Sequence, residues 1–134
     1  MAVNTTERRA GPVLVVDDEP NILTFVRLAL EDEGYGVLTA SNGEEALEVL
    51  RGASPSLILL DLRMPGMDGR EFVETYRARE AAAAAVAAVP IIVVTASRVP
   101  DVDPYAFGAN GVLRKPFEVD LLLESVARHT RGES

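Results

Sequence analysis

Five short apolar runs recur along this chain, separated by amphipathic segments, and that alternation constrains the fold more than any other feature. The runs are Val13-Leu14-Val15-Val16, Val37-Leu38, Leu57-Ile58-Leu59-Leu60, Ile91-Ile92-Val93-Val94 and Val112-Leu113. Most lack any polar residue, the pattern of strands buried on both faces, which parallel strands are. Between the first two runs, Ile22, Phe25, Val26 and Ala29 fall at i, i+3, i+4 and i+7, one apolar face of a helix. Ser41 and Glu44 have the spacing of a capping box ahead of Ala46, Leu47 and Leu50, and Gly52 suits a C-terminal stop. A third helix is predicted to follow Gly69 through Phe72, Val73 and Tyr76. The last is predicted from about Glu118, with Val119, Leu122, Leu123 and Val126 on one face. Strand and helix in such alternation predict an α/β fold, an open parallel sheet covered on both faces.

Two segments are less regular. The alanine-rich stretch Ala81 to Ala88 is predicted to extend the third helix and end before Pro90, because alanine is the best helix former and proline ends the run. Pro100 and Pro104 stand where a fourth helix belongs, so that helix is predicted to be short or to begin near Pro104.

Composition excludes several functions. A chain of 134 residues makes one domain, and 48% apolar content is enough for a true core. Thirteen basic against 21 acidic residues give a net charge of −8, which repels a phosphate backbone, so no direct nucleic-acid binding is expected. With no cysteine there is no disulfide or thiolate metal site, and one histidine excludes a His-rich zinc site, so any metal must be held by oxygen. The apolar run after Arg8-Arg9 ends at Asp17-Asp18-Glu19, too short for a secretory segment, and the stretch from Ala81 to Val94 is too short to cross a bilayer. We therefore expect a cytoplasmic protein with no membrane contact, built as a flexible leader (1–10), one domain (11–130) and a short tail (131–134).

In an open α/β sheet the ligand site lies beyond the carboxyl ends of the strands. Asp17 and Asp18 follow the first run, Asp61 the third, Thr95 the fourth and Lys115 the fifth. Three converging carboxylates repel one another, so some must take up protons or a cation must sit among them. A few carboxylates with retained water is how Mg²⁺ is usually held. A carboxylate nucleophile, a metal, an ammonium and a hydroxyl at one edge together imply phosphoryl chemistry.

The sequence resembles the receiver domain of two-component response regulators. The resemblance rests on VLVVDDEP (Val13 to Pro20), LILLDLRMPGMDG (Leu57 to Gly69), PIIVVTA (Pro90 to Ala96) and RKPF (Arg114 to Phe117), and covers about Val13 to Ala127. It implies a flavodoxin-like (βα)5 open sandwich with strand order 2-1-3-4-5, an order carried over from chemotaxis receivers rather than read from this chain. It further implies that Asp61 accepts a phosphoryl group from the phosphohistidine of a sensor histidine kinase or a histidine phosphotransfer protein. Asp18 would bind Mg²⁺ or Mn²⁺ directly, Asp17 largely through water, and the backbone carbonyl of Arg63 would be a further ligand. Lys115 would contact the phosphoryl group, with Lys115-Pro116 cis. Thr95 would be the switch hydroxyl, and the small Ala96 would leave the acceptor accessible. A receiver is a signalling module that can catalyse its own dephosphorylation, not an enzyme acting on external substrates. Its partners would be the kinase and a downstream protein or output domain, with the receiver itself a monomer or weak dimer.

The sequence departs from the receiver pattern in two places. The switch aromatic expected three residues before the motif lysine is replaced by Val112, which also reads simply as a buried strand residue, and the Pro100/Pro104 segment is short. Both bear on the face where receivers commonly signal. The alternative is a pseudo-receiver that binds partners without phosphorylation. A haloacid-dehalogenase-type hydrolase would need an acid where Arg63 stands, and a flavin phosphate would meet acidic loops after the first and third strands. Seven residues follow Ala127, which fits either a stand-alone receiver or a fragment of a larger regulator. Asp68-Gly69 reads as a turn with Asp as cap and Gly at positive φ, His129 as a surface residue at a helix end, and Met64 and Met67 as local packing.

Overall fold

The computed structural model describes residues 11–64, 66–83, 88–95 and 103–130. β1 (Val13–Val16), β3 (Leu57–Asp61) and β4 (Ile91–Thr95) are buried along their whole length. β2 (Val37–Ala40) and β5 (Gly111–Arg114) form the edges. All pairs are parallel, in the order β2-β1-β3-β4-β5, which is the predicted flavodoxin-like sheet. Among the described residues four α-helices cover it: α1 (Pro20–Asp32), α2 (Gly43–Val49), α3 (Gly69–Ala82) and α4 (Val119–Thr130), with a 3-10 turn at Pro104–Phe107.

The two-residue alternation of strand side chains divides the core into two layers. Val13, Val15, Leu57, Leu59, Ile92 and Val94 face α1 and α4, where Val26, Leu30, Leu122 and Val126 close the layer. Leu14, Val16, Ile58, Leu60 and Ile91 face α2 and α3, against Ala46, Leu47, Phe72 and Val73. Each such side chain taken fully from water contributes roughly 1.5–3 kcal/mol, so the unbroken apolar strands are what hold the sheet between its helices. β1 pairs with β2 on one side and β3 on the other, and the crossover direction reverses there. The crevice beyond the carboxyl ends of β1 and β3 is therefore the expected ligand position.

Local details correct several expectations. The N-cap of α2 is Asn42 rather than Ser41: its side chain accepts from the Glu45 N–H at 2.7 Å, while Glu45 Oε1 accepts from the Ser41 N–H at 2.6 Å. The capping chemistry is as expected but one residue further along, because Asn caps as well as Ser. The helix ends at Val49, ahead of Gly52, and its last turn closes through the Gly52 N–H to the Val49 carbonyl. Phe25 lies outside the core, 42% exposed, and leans on Phe117 at 6.4 Å between ring centroids.

Among the described residues of the alanine tract, Ala81 and Ala82 are helical, α3 caps at Ala83 and residues 88–90 are not helical; residues 84–87 lie outside the described residues. Ala81, Ala82 and Ala83 are exposed, so the end of α3 gains no support from burial against the core. Asp68 caps α3 as predicted, accepting from the Glu71 N–H at 2.9 Å. Positive φ belongs to Gly66 (79°), not Gly69. Gly69 is required for a different reason: a Cβ there would lie 2.8 Å from Leu62 Cα and 3.1 Å from the Asp61 carbonyl oxygen.

Met64 is buried in the α2–α3 layer, and Met67 packs on Gly43. Val112 is half-buried rather than enclosed, because β5 is an edge strand. His129 is half-buried too: its Nδ1 is 2.9 Å from the Ser125 carbonyl oxygen and its ring lies over Gly111, whose missing side chain leaves the space. Pro104 begins the 3-10 turn, as its fixed φ suits. The leader, the tail, Ala96 and Pro100 lie outside the described residues.

Candidate functional site

The sheet brings the predicted residues together because each ends, or closely follows, a strand. Asp17 follows β1, Asp61 is the last residue of β3, Thr95 the last of β4, and Lys115 follows β5. Asp17, Asp61 and Thr95 are buried, and Asp18 is exposed. The register makes this convergence necessary: Val16 pairs with Leu60, Asp61 with Val94, and Thr95 with Arg114, so consecutive strand ends are adjacent. The Lys115 N–H donates to the Thr95 carbonyl at 2.8 Å, which pins the lysine beside the β4 terminus. The Lys115-Pro116 peptide is cis, as the resemblance implied.

The lysine reaches inward. Its Nζ donates to Asp17 Oδ2 at 3.1 Å and stands 3.8 Å from Asp61 Oδ2. Asp17 Oδ1 also accepts from the Glu19 N–H at 2.9 Å, and the Arg63 N–H donates to Asp61 Oδ1 at 3.2 Å. Carboxylate oxygens of Asp17, Asp18 and Asp61 all come within 4.8 Å of one another. At about 4 Å and an effective dielectric near 20, a pair of unit charges interacts by roughly 4 kcal/mol, so one ammonium cannot offset three carboxylates at this spacing.

The consequence falls on Asp61, whose carboxyl is raised to about 6, first by burial and then by the charge of Asp17, with Asp18 adding a little. Lys115 and the Arg63 N–H pull the other way without cancelling this. Burial alone would lower the Lys115 ammonium, but Asp61 and the hydrogen bond to Asp17 outweigh it and raise it. The donor set fits a hard divalent cation. It consists of carboxylate oxygens, carries excess negative charge and contains a carboxyl whose ionisation a cation would favour.

Glu19 was not singled out in the sequence, yet its Oε1 lies 4.0 Å from Lys115 Nζ and its N–H holds Asp17. Its adjacency to Asp17 and Asp18 was the available signal. Val112 lies away from this cluster, lining a groove at the β5 edge.

Comparison with known proteins agrees with this geometry. The sequence model of the response regulator receiver domain matches residues 13–127. The chain belongs to the response regulator receiver family. This receiver is 36% identical over 123 residues to the alkaline phosphatase synthesis transcriptional regulatory protein PhoP of Bacillus subtilis, covering 88% of this chain and 49% of that protein. It is 37% identical over 120 residues to the DNA-binding transcriptional regulator NtrC of Escherichia coli, covering 88% and 24% respectively. The receiver thus spans about half or a quarter of the length of these relatives. In structure it is similar to the chemotaxis response regulator CheY4 of Vibrio cholerae, with a TM-score of 0.80, 36% identity, and coverage of 90% of this chain and 99% of that one. It is a receiver domain of two-component signalling, a class that works with histidine kinases and output domains. Among the described residues no helix is long and apolar enough to cross a membrane.

Proposed function

We propose that this receiver accepts a phosphoryl group on Asp61 from a phosphohistidine of a sensor kinase or phosphotransfer protein, and changes its partner binding as a result. The observation that carries the reading is the Asp61 carboxylate itself, seated at the β3 terminus among Asp17 and Asp18 with Lys115 Nζ at 3.8 Å. An Asp61 oxygen attacks phosphorus, a P–O bond forms, and the P–N bond breaks with its electron pair returning to the imidazole nitrogen. Lys115 would neutralise a phosphoryl oxygen, and Thr95, buried at the neighbouring strand end, would hydrogen-bond another.

Asp17 already accepts from Lys115 and from the Glu19 N–H, whereas Asp18 faces solvent, which favours Asp18 as a direct metal ligand and Asp17 as one acting through water. Asp61 and the Arg63 backbone carbonyl complete the donor set that would hold Mg²⁺ or Mn²⁺. Such a cation supplies charge neutralisation for the nucleophile and the incoming phosphoryl group. Return to the unphosphorylated state is hydrolysis: water attacks phosphorus, and the aspartyl oxygen leaves as carboxylate. By the receiver pattern, the small residue Ala96 would leave Asp61 accessible, and Pro116 would help position Lys115. The working unit is residues 11–130, acting in the cytoplasm as a monomer or weak dimer on a downstream protein or an attached output domain.

The test is incubation with acetyl phosphate and Mg²⁺, read by intact mass. The wild type is expected to gain the mass of one phosphoryl group, dependent on Mg²⁺, and Asp61→Asn is expected to gain none. An equally stable adduct on Asp61→Asn overturns the acceptor assignment.

A further inference from the structure

Arg77, outside the Asp17, Asp18 and Asp61 cluster, is the most heavily hydrogen-bonded side chain among the contacts described. Its Nε and Nη2 donate to the Gly108 carbonyl at 3.2 and 3.0 Å, and Nη2 also donates to Asn110 Oδ1 at 2.8 Å. On the other side of the fork, Nη1 donates to the Val89 carbonyl at 2.8 Å and to Glu80 Oε1 at 2.7 Å. Glu80 returns the grip, its Oε2 accepting from the Val89 N–H at 2.9 Å. Asn110 is held in turn: Oδ1 accepts from the Ile91 N–H at 2.8 Å, and its own N–H donates to the Ile91 carbonyl at 2.7 Å. One guanidinium therefore ties α3 to the segment leading into β4 and to the turn leading into β5.

The contact is tight. Gly108 has φ +116°, and a Cβ on it would lie 3.1 Å from Val73 Cγ1 and 3.3 Å from Arg77 Cγ, so the turn backbone rests directly on α3. The side chains of Arg77 and Glu80 are 20% and 12% exposed, which limits screening of the charge-assisted bonds. A planar fork suits this task, since it fixes several acceptors at once.

The opposite end of α3 rests on the acceptor. The Gly69 N–H donates to the Leu62 carbonyl at 3.0 Å, and the helix start has no side chain between itself and the backbone of Asp61 and Leu62. Between the two ends, Phe72 and Val73 are fully buried, so a single packed helix connects the acceptor loop to Arg77. Past Arg77, Asn110 lines the groove that also contains Tyr105, Val112 and His129.

We propose that Arg77, supported by Glu80, is a positioning residue that couples the acceptor loop through α3 to the β5 groove. The inference rests on Asp61 as the phosphoacceptor. A change of charge on Asp61 displaces the backbone against which Gly69 abuts, α3 follows, and Arg77 carries the displacement to Gly108 and Asn110. This route does not pass through an aromatic at position 112, which is Val in this chain.

Backbone amide NMR of the full chain tests it, comparing protein alone, with Mg²⁺, and with Mg²⁺ plus beryllofluoride as phosphoryl mimic. The wild type is expected to shift both around Asp18, Asp61 and Lys115 and at Gly108 to Val112. In Arg77→Met and Arg77→Lys the pocket shifts are expected to persist, while those at Gly108 to Val112 fall about two-fold or more. Lysine keeps the charge beside Glu80 but lacks the fork, so it distinguishes coupling from simple charge balance. It also decides the question if Arg77→Met fails to fold. A purely stabilising Arg77 would lower the denaturation midpoint in both variants and leave the reach of the shifts unchanged, which overturns the proposal. Wild-type shifts confined to the pocket overturn it as well. A wild type with no beryllofluoride response anywhere removes the acceptor reading, and this inference with it.

Discussion

At the scale of single residues, Asp61 is the side chain whose environment opposes its own charge. Its carboxyl lies near 6, against 3.8 for the free group, so between those values the folded protein holds a proton that the unfolded chain has released. A raised carboxyl pKa therefore favours folding below about pH 4, and that contribution is lost as pH rises through about 6. Above that range the ionised Asp61 is a net liability of about 1–3 kcal/mol in the absence of metal. Asp61→Asn is accordingly expected to be more stable than wild type by that amount at about pH 7.5, with the gap closing toward about pH 4. Urea denaturation with a chelator present, repeated across that range, measures it. Equal stabilities at every pH would show that the carboxylates are not held in conflict. The same crowding makes the site suitable for a nucleophile: the group is kept desolvated, and a cation rather than a proton can restore its charge.

Among elements, α3 links the site to the rest of the molecule, and its first residue is the sensitive point. A Cβ at Gly69 would meet the Leu62 and Asp61 backbone, which cannot rotate away as a side chain end could. Gly69→Ala is therefore expected to destabilise by about 1–3 kcal/mol despite alanine's higher helix propensity, and to move the acceptor loop. Thermal or urea denaturation gives the first effect, and reduced acetyl phosphate labelling of Asp61 the second. A stabilised Gly69→Ala protein would mean that the loop yields freely. The elements were largely legible in advance because apolar runs and 3.6-residue periodicity are local signals. The boundaries were less so. Ser41 and Asn42 both cap well, and only the folded backbone shows that Asn42 is the residue that caps α2. The alanine tract had the propensity to continue α3, but the helix caps at Ala83, where the exposed alanines give propensity no support from packing.

For the whole molecule, net charge −8 and three clustered carboxylates make metal binding a matter of global stability. A cation that binds only the folded state stabilises it by RT ln(1 + [L]/Kd), about 2.7 kcal/mol at a hundredfold excess over Kd. Mg²⁺ is expected to raise the melting temperature in a saturable way, and Asp18→Asn to weaken that response while leaving the chelated protein close to wild type. Calorimetric scans over a Mg²⁺ series provide the check. A shift no larger than that of an equal ionic strength of sodium salt would leave only screening.

The sequence by itself determined the α/β class, the five strands and the set of polar residues at their carboxyl ends, because each of these is written in runs a few residues long. It also carried the motifs by which the receiver family is recognised. Tertiary structure decided the rest. Only the strand order and register bring Asp17, Asp61, Thr95 and Lys115 to one place from positions as much as 98 residues apart. Only burial among like charges lifts the Asp61 carboxyl to about 6. Only the packing of α3 gives Arg77, an ordinary basic residue on a helix in the sequence, carbonyl partners 12 and 31 residues away. Local patterns fix what a segment is, whereas electrostatics and hydrogen bonding depend on distances in space that the sequence does not contain.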